Sequence, residues 1–296
     1  MFLERLKAPA WQVAYRRLPE GSILVDRKTP FIEIANQWPF CSVMDPFVFE
    51  HNGETYVFAE VYDSLKSRGC IGYSKWDGNS FSPWKAIIVE KYHLSYPFVY
   101  HDEKGDVHIV PESFQDKSVH SYRAVSFPDE WEREGNLISN VEYVDVTFVQ
   151  TSDTLWAFAY DISVSPKELL MYQIKDGKFD LKTKQFLSND DSVARPAGRF
   201  FKHHGAWVRV SQNCSRNYGN NLVFSEVTCG FKGHYSEKSI GTFSIEELRS
   251  MSNIEGEGTH TYNGTAHFEV VDIKRTRYSF VELMLKFKRG IGRLFH

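Results

Sequence analysis

Two aspartates open equivalent runs of this sequence: Asp45 in Asp45-Pro46-Phe47-Val48-Phe49 and Asp145 in Asp145-Val146-Thr147-Phe148-Val149. Glu60 and Glu112 stand at the far ends of hairpins of the same kind. A carboxylate base and a carboxylic acid held apart are the ingredients for acid and base work on a glycosidic bond. The same residues have a plainer use, since an aspartate at the start of a strand can cap it by bonding to nearby backbone. Their equivalent positions favour the chemical use. A third run, Ala194-Arg195-Pro196-Ala197, carries an arginine where the others carry an aspartate. A guanidinium suits two-pronged recognition of phosphate or carboxylate. Of the arginines near it, alternation along strands leaves Arg199 and Arg209 on outer faces, paired with acids, and keeps Arg195 and Arg216 for a ligand.

The elements that must position these groups are short hairpins. Met44 to Phe49 and Tyr56 to Phe58 read as two strands around His51-Asn52-Gly53, a reversal suited to a tight turn. Pro46 is expected to keep Asp45 extended. The pattern recurs with leads at Asp45, Tyr96, Asp145 and Arg195, a spacing of about fifty residues that fits a propeller blade. A weaker fifth copy starts near His260, after a short helix expected over Ser244 to Met251. Trp11 to Tyr15 reads as a lead-in strand. A β-sandwich with hairpins of similar length is the alternative, but it does not require regular spacing. The fold class expected is all-β: a five-bladed β-propeller over 1–279, with the lead residues near the central channel, and a short basic amphipathic helix over 280–296.

In that helix Phe280, Leu283, Met284, Phe287, Ile291 and Leu294 fall at helical spacing, with Lys286, Lys288, Arg289 and Arg293 on the other faces. It either packs on the propeller or lies on a membrane surface. The 296 residues are enough for a substantial core without staples, and 23 Phe, 15 Tyr and 7 Trp favour strands. A formal net charge of −3 gives no reason to expect a nucleic-acid partner. Cys41, Cys70, Cys214 and Cys229 form no CxxC pair, so they are expected to be buried free thiols. The His203-His204 pair has no third ligand at metal spacing, and no metal or other cofactor is expected. With no signal-peptide-like start and no long apolar run, the expected location is cytoplasmic, with the inner face of the membrane reached through the terminal helix.

Several motifs together resemble a known family: Asp45 to Phe49 with Gly53, His93-Leu94-Ser95-Tyr96-Pro97-Phe98, Pro111-Glu112-Ser113, Tyr122-Arg123-Ala124 with Trp131, Ala194 to Arg199, Gln212 with Tyr218-Gly219, and His260-Thr261-Tyr262-Asn263. From about Trp11 to Asp272 the chain resembles the N-terminal domain of plant glucosamine inositolphosphorylceramide transferases and its stand-alone bacterial relatives. That domain is similar in fold to the five-bladed propellers of glycoside hydrolase family 43, whose sites lie in the central channel. The bacterial relatives are associated with surface-polysaccharide synthesis. By this resemblance Asp45 matches the hydrolase base and Asp145 an auxiliary aspartate that orients the acid. The acid itself, a glutamate at the head of the fourth blade, is replaced by Arg195, which cannot donate a proton to a leaving oxygen. Glu112 or His260 is left as the substitute acid. Some related propellers hold calcium in the channel, but nothing in this sequence specifies one.

The expected function is that of a carbohydrate-active propeller acting on an anionic or lipid-linked glycan in surface-polysaccharide synthesis, by glycosyl transfer or hydrolase-like chemistry. A non-catalytic glycan-binding or scaffold propeller is the alternative. Asp45, Asp145, Glu112 and His260 are the catalytic candidates; Tyr96, Arg195, Gln212, Arg216 and Tyr262 are the substrate-binding candidates. The expected partners are a glycan or sugar-phosphate ligand and a membrane surface.

Overall fold

The structure, a computed structural model, describes residues 7–18, 29–278 and Met284. The helix expected over 280–296 therefore lies outside the described residues, apart from Met284.

The chain begins with β1 (Lys7–Arg17) and β2 (Ile32–Glu33). Three four-stranded antiparallel blades follow in order: β3 (Cys41–His51) to β6 (Lys85–Ile88) through β4 (Glu54–Asp63) and β5 (Arg68–Lys75); β7 (Ser95–His101) to β10 (Glu130–Ser139) through β8 (Val107–Glu112) and β9 (Ser118–Ser126); and β11 (Tyr143–Gln150) to β14 (Lys178–Ser188) through β12 (Leu155–Asp161) and β13 (Glu168–Lys175). The fourth blade is β15 (Phe201–His203), β16 (Ala206–Asn213), β17 (Asn221–Cys229) and β18 (Ser236–Ser244). A short helix, α1 (Ile245–Ser252), comes next and buries Ile245 and Leu248; Ser244 and Glu247 cap its start reciprocally.

The fifth blade is built from both parts of the chain. β19 (Tyr262–Gly264) and β20 (Phe268–Tyr278) are its inner strands, and β20 pairs with β1 from Lys7↔Tyr278 to Arg17↔Phe268. Residues 7–17 are therefore the third strand of the fifth blade, not a lead-in. This antiparallel seam closes the ring by tying β1 into the last blade.

The innermost strands meet around the channel. Asn263 Nδ2 donates to Pro46 O at 2.7 Å, and Arg199 Nη2 to Val99 O at 2.7 Å, so blades five and four both reach across to blades one and two. Aromatic residues just below the lead positions fill the wedges between blades. Phe47 packs edge-on against Tyr96 and Phe98, and each such ring contributes about 1.5–3 kcal/mol by its burial.

Asp45 is not extended. Its φ is 52°, and Tyr96 and Asp145 share the conformation at 43° and 50°. In each blade the β-pairing register slips there, between Met44 and Phe47, Ser95 and Phe98, and Val144 and Thr147. The lead residues thus sit in β-bulges with left-handed backbone, which re-aims the side chain relative to the pleat. Asp145 is followed by valine and bulges the same way, so the proline is not what sets the geometry. Aspartate tolerates this conformation better than a β-branched residue would. The hairpin tips behave as their sequences suggest: Asn52-Gly53, Asp176-Gly177 and His204-Gly205 all have positive φ at both residues. Of the four free cysteines, Cys41, Cys70 and Cys214 are half-buried and Cys229 is exposed, so none is the fully buried thiol expected.

Candidate active site

The bulges turn Asp45 and Asp145 toward one end of the channel, and a buried histidine joins them from the fifth blade. Asp272, on β20, is wholly buried and organises this side. Its Oδ1 accepts the backbone N–H groups of His260 (2.9 Å) and Thr261 (3.1 Å), and its Oδ2 that of Asp45 (3.1 Å). His260 lies between two carboxylates, with Nδ1 2.8 Å from Asp272 Oδ2 and Nε2 3.1 Å from Asp45 Oδ1. These are ion-pair distances without the alignment of hydrogen bonds. Trp11 covers the imidazole, centroid to centroid 4.1 Å. Burial works against the imidazolium, but the charges of Asp272 and Asp45 outweigh it and raise the His260 pKa to about 10. For Asp45 burial likewise opposes ionisation. The His260 charge and the hydroxyl of Thr261, donated at 2.8 Å, overcome it and hold the carboxyl below its ordinary range.

On the other side Asp145 is ion-paired with Arg195 Nε and accepts from Gln212 Nε2 at 3.3 Å. Gln212 also donates to Pro196 O at 3.1 Å, which ties the arginine's strand to its neighbour. Burial lifts the Asp145 pKa above its usual value, and Arg195 only partly offsets it. Glu112 bonds to Asp145, and burial together with the Asp145 charge pushes its pKa well up. Glu60 is raised in the same way, by burial and then by Asp45 and Glu112. Five carboxyls, Asp45, Glu60, Glu112, Asp145 and Asp272, thus face two cations, Arg195 and His260, and the excess of acid falls on Glu60 and Glu112, whose pKa values burial and the neighbouring carboxylates drive well above the ordinary carboxylate range. His93 supports Glu60: its Nδ1 accepts from Gly69 N at 2.9 Å, so Nε2 carries the proton and faces Glu60 Oε1 at 3.6 Å.

The carboxylates lie beneath a thin cover. Asp45 is 4% and Glu112 7% exposed, whereas Arg195 is 19% and Tyr218 42% exposed. The Arg195 guanidinium sits 4.9 Å from the centre of the Tyr218 ring, and that ring is edge-on to His260 at 4.9 Å. Gly219, with φ 70°, passes so close to Trp11 that an added Cβ would stand 2.6 Å from the indole. This contact fixes the Tyr218 loop over the cluster.

The structure brings together Asp45, Asp145, Glu112, His260, Arg195 and Gln212. Tyr96 contributes its backbone N–H to Asp45 Oδ2 at 3.3 Å, while its wholly buried hydroxyl goes to Thr147 Oγ1 at 2.8 Å. Two candidates lie elsewhere. Arg216 is exposed in the turn after β16 and, among the described residues, makes no hydrogen bond or ion pair with the cluster. Tyr262 points between blades four and five, where its hydroxyl donates to Glu269 Oε1 at 2.6 Å. Arg209 is paired with an acid as expected, Glu237, but it is buried inside its blade and not on an outer face, and Arg199 enters the channel instead of facing outward. Asp45, His260 and Asp272 can each offer one atom to a metal, all within 4.8 Å of one another. That mixed nitrogen and oxygen set suits a transition metal better than calcium, which takes six to eight oxygens. A divalent ion there would have to displace the His260 proton.

Residues 31–282 match the family described as "Glucosamine inositolphosphorylceramide transferase 1, N-terminal". The chain belongs to this family. It is 29% identical over 264 residues to glucosamine inositolphosphorylceramide transferase 1 of Arabidopsis thaliana, covering 85% of this chain and 33% of the relative. The protein of the same name from Oryza sativa subsp. indica is 27% identical over 244 residues, covering 79% and 31%. The chain thus spans about a third of the length of these relatives. Among solved structures it is similar to a thermostable family-43 glycoside hydrolase (TM-score 0.56, 10% identity, 80% of this chain and 90% of that one) and to the α-L-arabinofuranosidase of Lactobacillus brevis (TM-score 0.55, 12% identity, 76% and 80%). At such identity the fold is what is shared.

In this family member, sequence reasoning missed Asp272, Thr261, Trp11 and His93 as parts of the site. The one available signal for Asp272 was a charge within the apolar run Val270-Val271-Asp272-Ile273. The buried imidazolium has a consequence for stability. A histidine whose folded pKa is about 10 against 6.5 stabilises the fold fully below pH 6.5 and loses that contribution as pH rises to 10. Glu60 and Glu112, also raised, have the same sign from their ordinary pKa upward, whereas Asp45, lowered, loses its contribution in acid. Urea unfolding across pH 6.5–10 should therefore show falling stability, with a shallower fall in His260→Gln. An equal slope in the variant would mean that the histidine is neutral in the folded chain.

Proposed function

We propose that the channel acts on a glycan that carries an anionic group or a lipid-phosphate link, by glycosyl transfer or hydrolase-like chemistry, in the synthesis of surface polysaccharide. The observation that supports this most is a pair of carboxyls in one cluster whose pKa values are driven in opposite directions: Asp45 lowered by the His260 charge, Glu112 raised by burial and by the Asp145 charge. Groups separated in this way are suited to act as base and acid at neutral pH. In this reading Glu112 gives its proton to the leaving oxygen as the glycosidic bond breaks, and Asp45 takes the proton of the attacking hydroxyl or stabilises the positive charge on the sugar. His260 is a positioning residue, since an imidazolium with a pKa near 10 is a poor donor and its two carboxylates keep it charged. Arg195 meets the anionic group with the part of its guanidinium not engaged by Asp145, and the exposed Tyr218 offers a ring face for the sugar. The names of the relatives contain both an amino sugar and a phosphorylated lipid, which agrees with such a ligand.

A second reading is supported by the Arg195–Asp145 pair and by the near-complete burial of the carboxylates: a propeller that binds glycan without cleaving or forming a bond. Asp45→Asn separates the two. With the fold verified by circular dichroism, the variant should lose at least about 100-fold in turnover of a glycosyl phosphate or nucleotide sugar while still binding it. Turnover equal to the wild type contradicts Asp45 as a catalytic residue, and the absence of turnover in both proteins, with binding retained, favours the second reading. Contact with the membrane's inner face through residues 280–296 is part of the same proposal, and loss of liposome binding on their deletion tests it.

A further inference from the structure

Below the carboxylates, toward the far ends of the inner strands, the channel holds a guanidinium with no acid beside it. Arg199 follows Gly198, whose φ of 149° and close approach to blade five admit no side chain: an added Cβ would stand 1.9 Å from Tyr262 O. Arg199 N is fixed by Asn263 Oδ1 at 2.8 Å. This sharp passage ends the pairing of Arg195–Ala197 with β16 and sends the Arg199 side chain across the channel, under the bulged residues. There it lies against the rings of Phe98 (5.1 Å) and Phe47 (5.9 Å), and Nη2 donates to Val99 O at 2.7 Å. Among the described residues that carbonyl is the one acceptor its guanidinium meets, and no carboxylate lies within ion-pair distance. A guanidinium has five N–H donors in a fixed fork, so most of them are left for something else. Burial depresses its pKa to about 10, with only a distant offset from Tyr96. Arg199 is half-buried, and a cation held partly out of water without a counter-charge is costly to a fold, so its persistence points to a use.

Arg199 stands at the inner end of a groove of about 1060 Å³ between blades two, three and four. The groove runs out to the hairpin tips at Lys104, Asp153 and Asp176, the first two being the far ends of the strands whose near ends carry Tyr96 and Asp145. Six to eight strand residues separate the two ends, about 20 Å or more. The walls include the half-buried rings of Tyr100 and Trp207, and Lys202 backs Trp207 at 5.1 Å from its ring centre. Of the acids at the rim, Asp153 is already paired with Lys232, and Asp102 is occupied by the backbone N–H groups of Lys104 and Asp106. The floor is cationic and the rim can accept hydroxyl hydrogens.

We propose that this groove is a second binding site, separate from the Asp45 cluster, for a saccharide bearing a carboxylate or phosphate, with Arg199 receiving the anionic group and Trp207 and Tyr100 the sugar faces. The site does not depend on catalysis at the other mouth. Its ligand has a charged end that reaches about the depth of Phe98 and a hydroxyl-rich part between the hairpin tips.

The test is titration of the full chain, labelled at the tryptophan indole nitrogens, with glucuronate, glucose 6-phosphate, glucose and inorganic phosphate, following the Trp207 resonance by NMR. Glucuronate or glucose 6-phosphate should shift Trp207 saturably; which of the two binds more tightly identifies the anion. Glucose alone should bind at least about 10-fold more weakly. Arg199→Gln should weaken the charged sugars at least about 10-fold, and Arg199→Lys, which keeps the cation and a donor for Val99 O, should weaken them less and serves if the glutamine variant does not fold. Asp45→Asn should leave these titrations unchanged, which separates this site from the one at the other mouth. No shift of Trp207 with either charged sugar, equal binding by both Arg199 variants and the wild type, or inorganic phosphate binding as tightly as the sugars would overturn the proposal.

Discussion

Asp272→Ala should lower the unfolding free energy by about 3–5 kcal/mol, the range for removing one partner of a buried charge pair. The variant leaves three backbone N–H groups, of Asp45, His260 and Thr261, without their acceptor and leaves the His260 imidazolium facing Asp45 alone. Each of those losses is itself costly when water cannot enter. The effect extends to the ring closure, because Asp272 is on β20, which pairs on one side with β19 and on the other with β1. Asp272→Asn should cost less, since one oxygen remains to accept two of the N–H groups. Urea unfolding of the three proteins at neutral pH measures both numbers, and a loss below about 1 kcal/mol for the alanine variant would show that Asp272 does not organise the site.

Glu112→Gln should reduce turnover by about 10²–10⁴, the usual worth of a positioned general acid, and the loss should depend on the leaving group. Glutamine keeps the shape and can still face Asp145, but it has no proton to give to a departing oxygen. A substrate with an alkoxide leaving group therefore suffers the full loss. One with a leaving group that departs as a stable anion, such as a glycosyl phosphate, needs little protonation and should be turned over at a rate much closer to the wild type. An equal loss for both kinds of substrate would place Glu112 in binding or in folding and not in proton transfer.

The repeat was legible because each hairpin is written locally, as an apolar run, an Asn-Gly or His-Gly reversal and a second apolar run. Regular spacing of those hairpins leaves few architectures. What escaped was non-local. β1 and β20 pair across some 250 residues of chain, and nothing near Trp11 names its partner, so the strand that closes the ring read as a lead-in. Proline pointed to an extended Asp45, whereas the register slip shared by three blades imposes left-handed backbone whether or not a proline follows. Alternation misplaced Arg199 because it assumes a continuous strand, and Gly198 interrupts this one. Asp45, Asp145 and Arg195 were found by their equivalence in the repeat. Asp272 has no equivalent and was hidden in an apolar strand until the fold set it beneath His260.

Glu60 and Glu112 are the two carboxyls of the cluster whose pKa values are driven well above the ordinary range, and the proposed chemistry requires Glu112 to be neutral beside ionised neighbours. Infrared spectroscopy at neutral pH tests it directly, because a protonated carboxyl has a carbonyl stretch distinct from that of a carboxylate. The wild type should show buried carboxylic-acid absorption that persists above the ordinary glutamate pKa, and part of it should vanish in Glu112→Gln. A wild-type spectrum without such absorption, or one that the substitution leaves intact, would contradict the assignment of Glu112 as the acid.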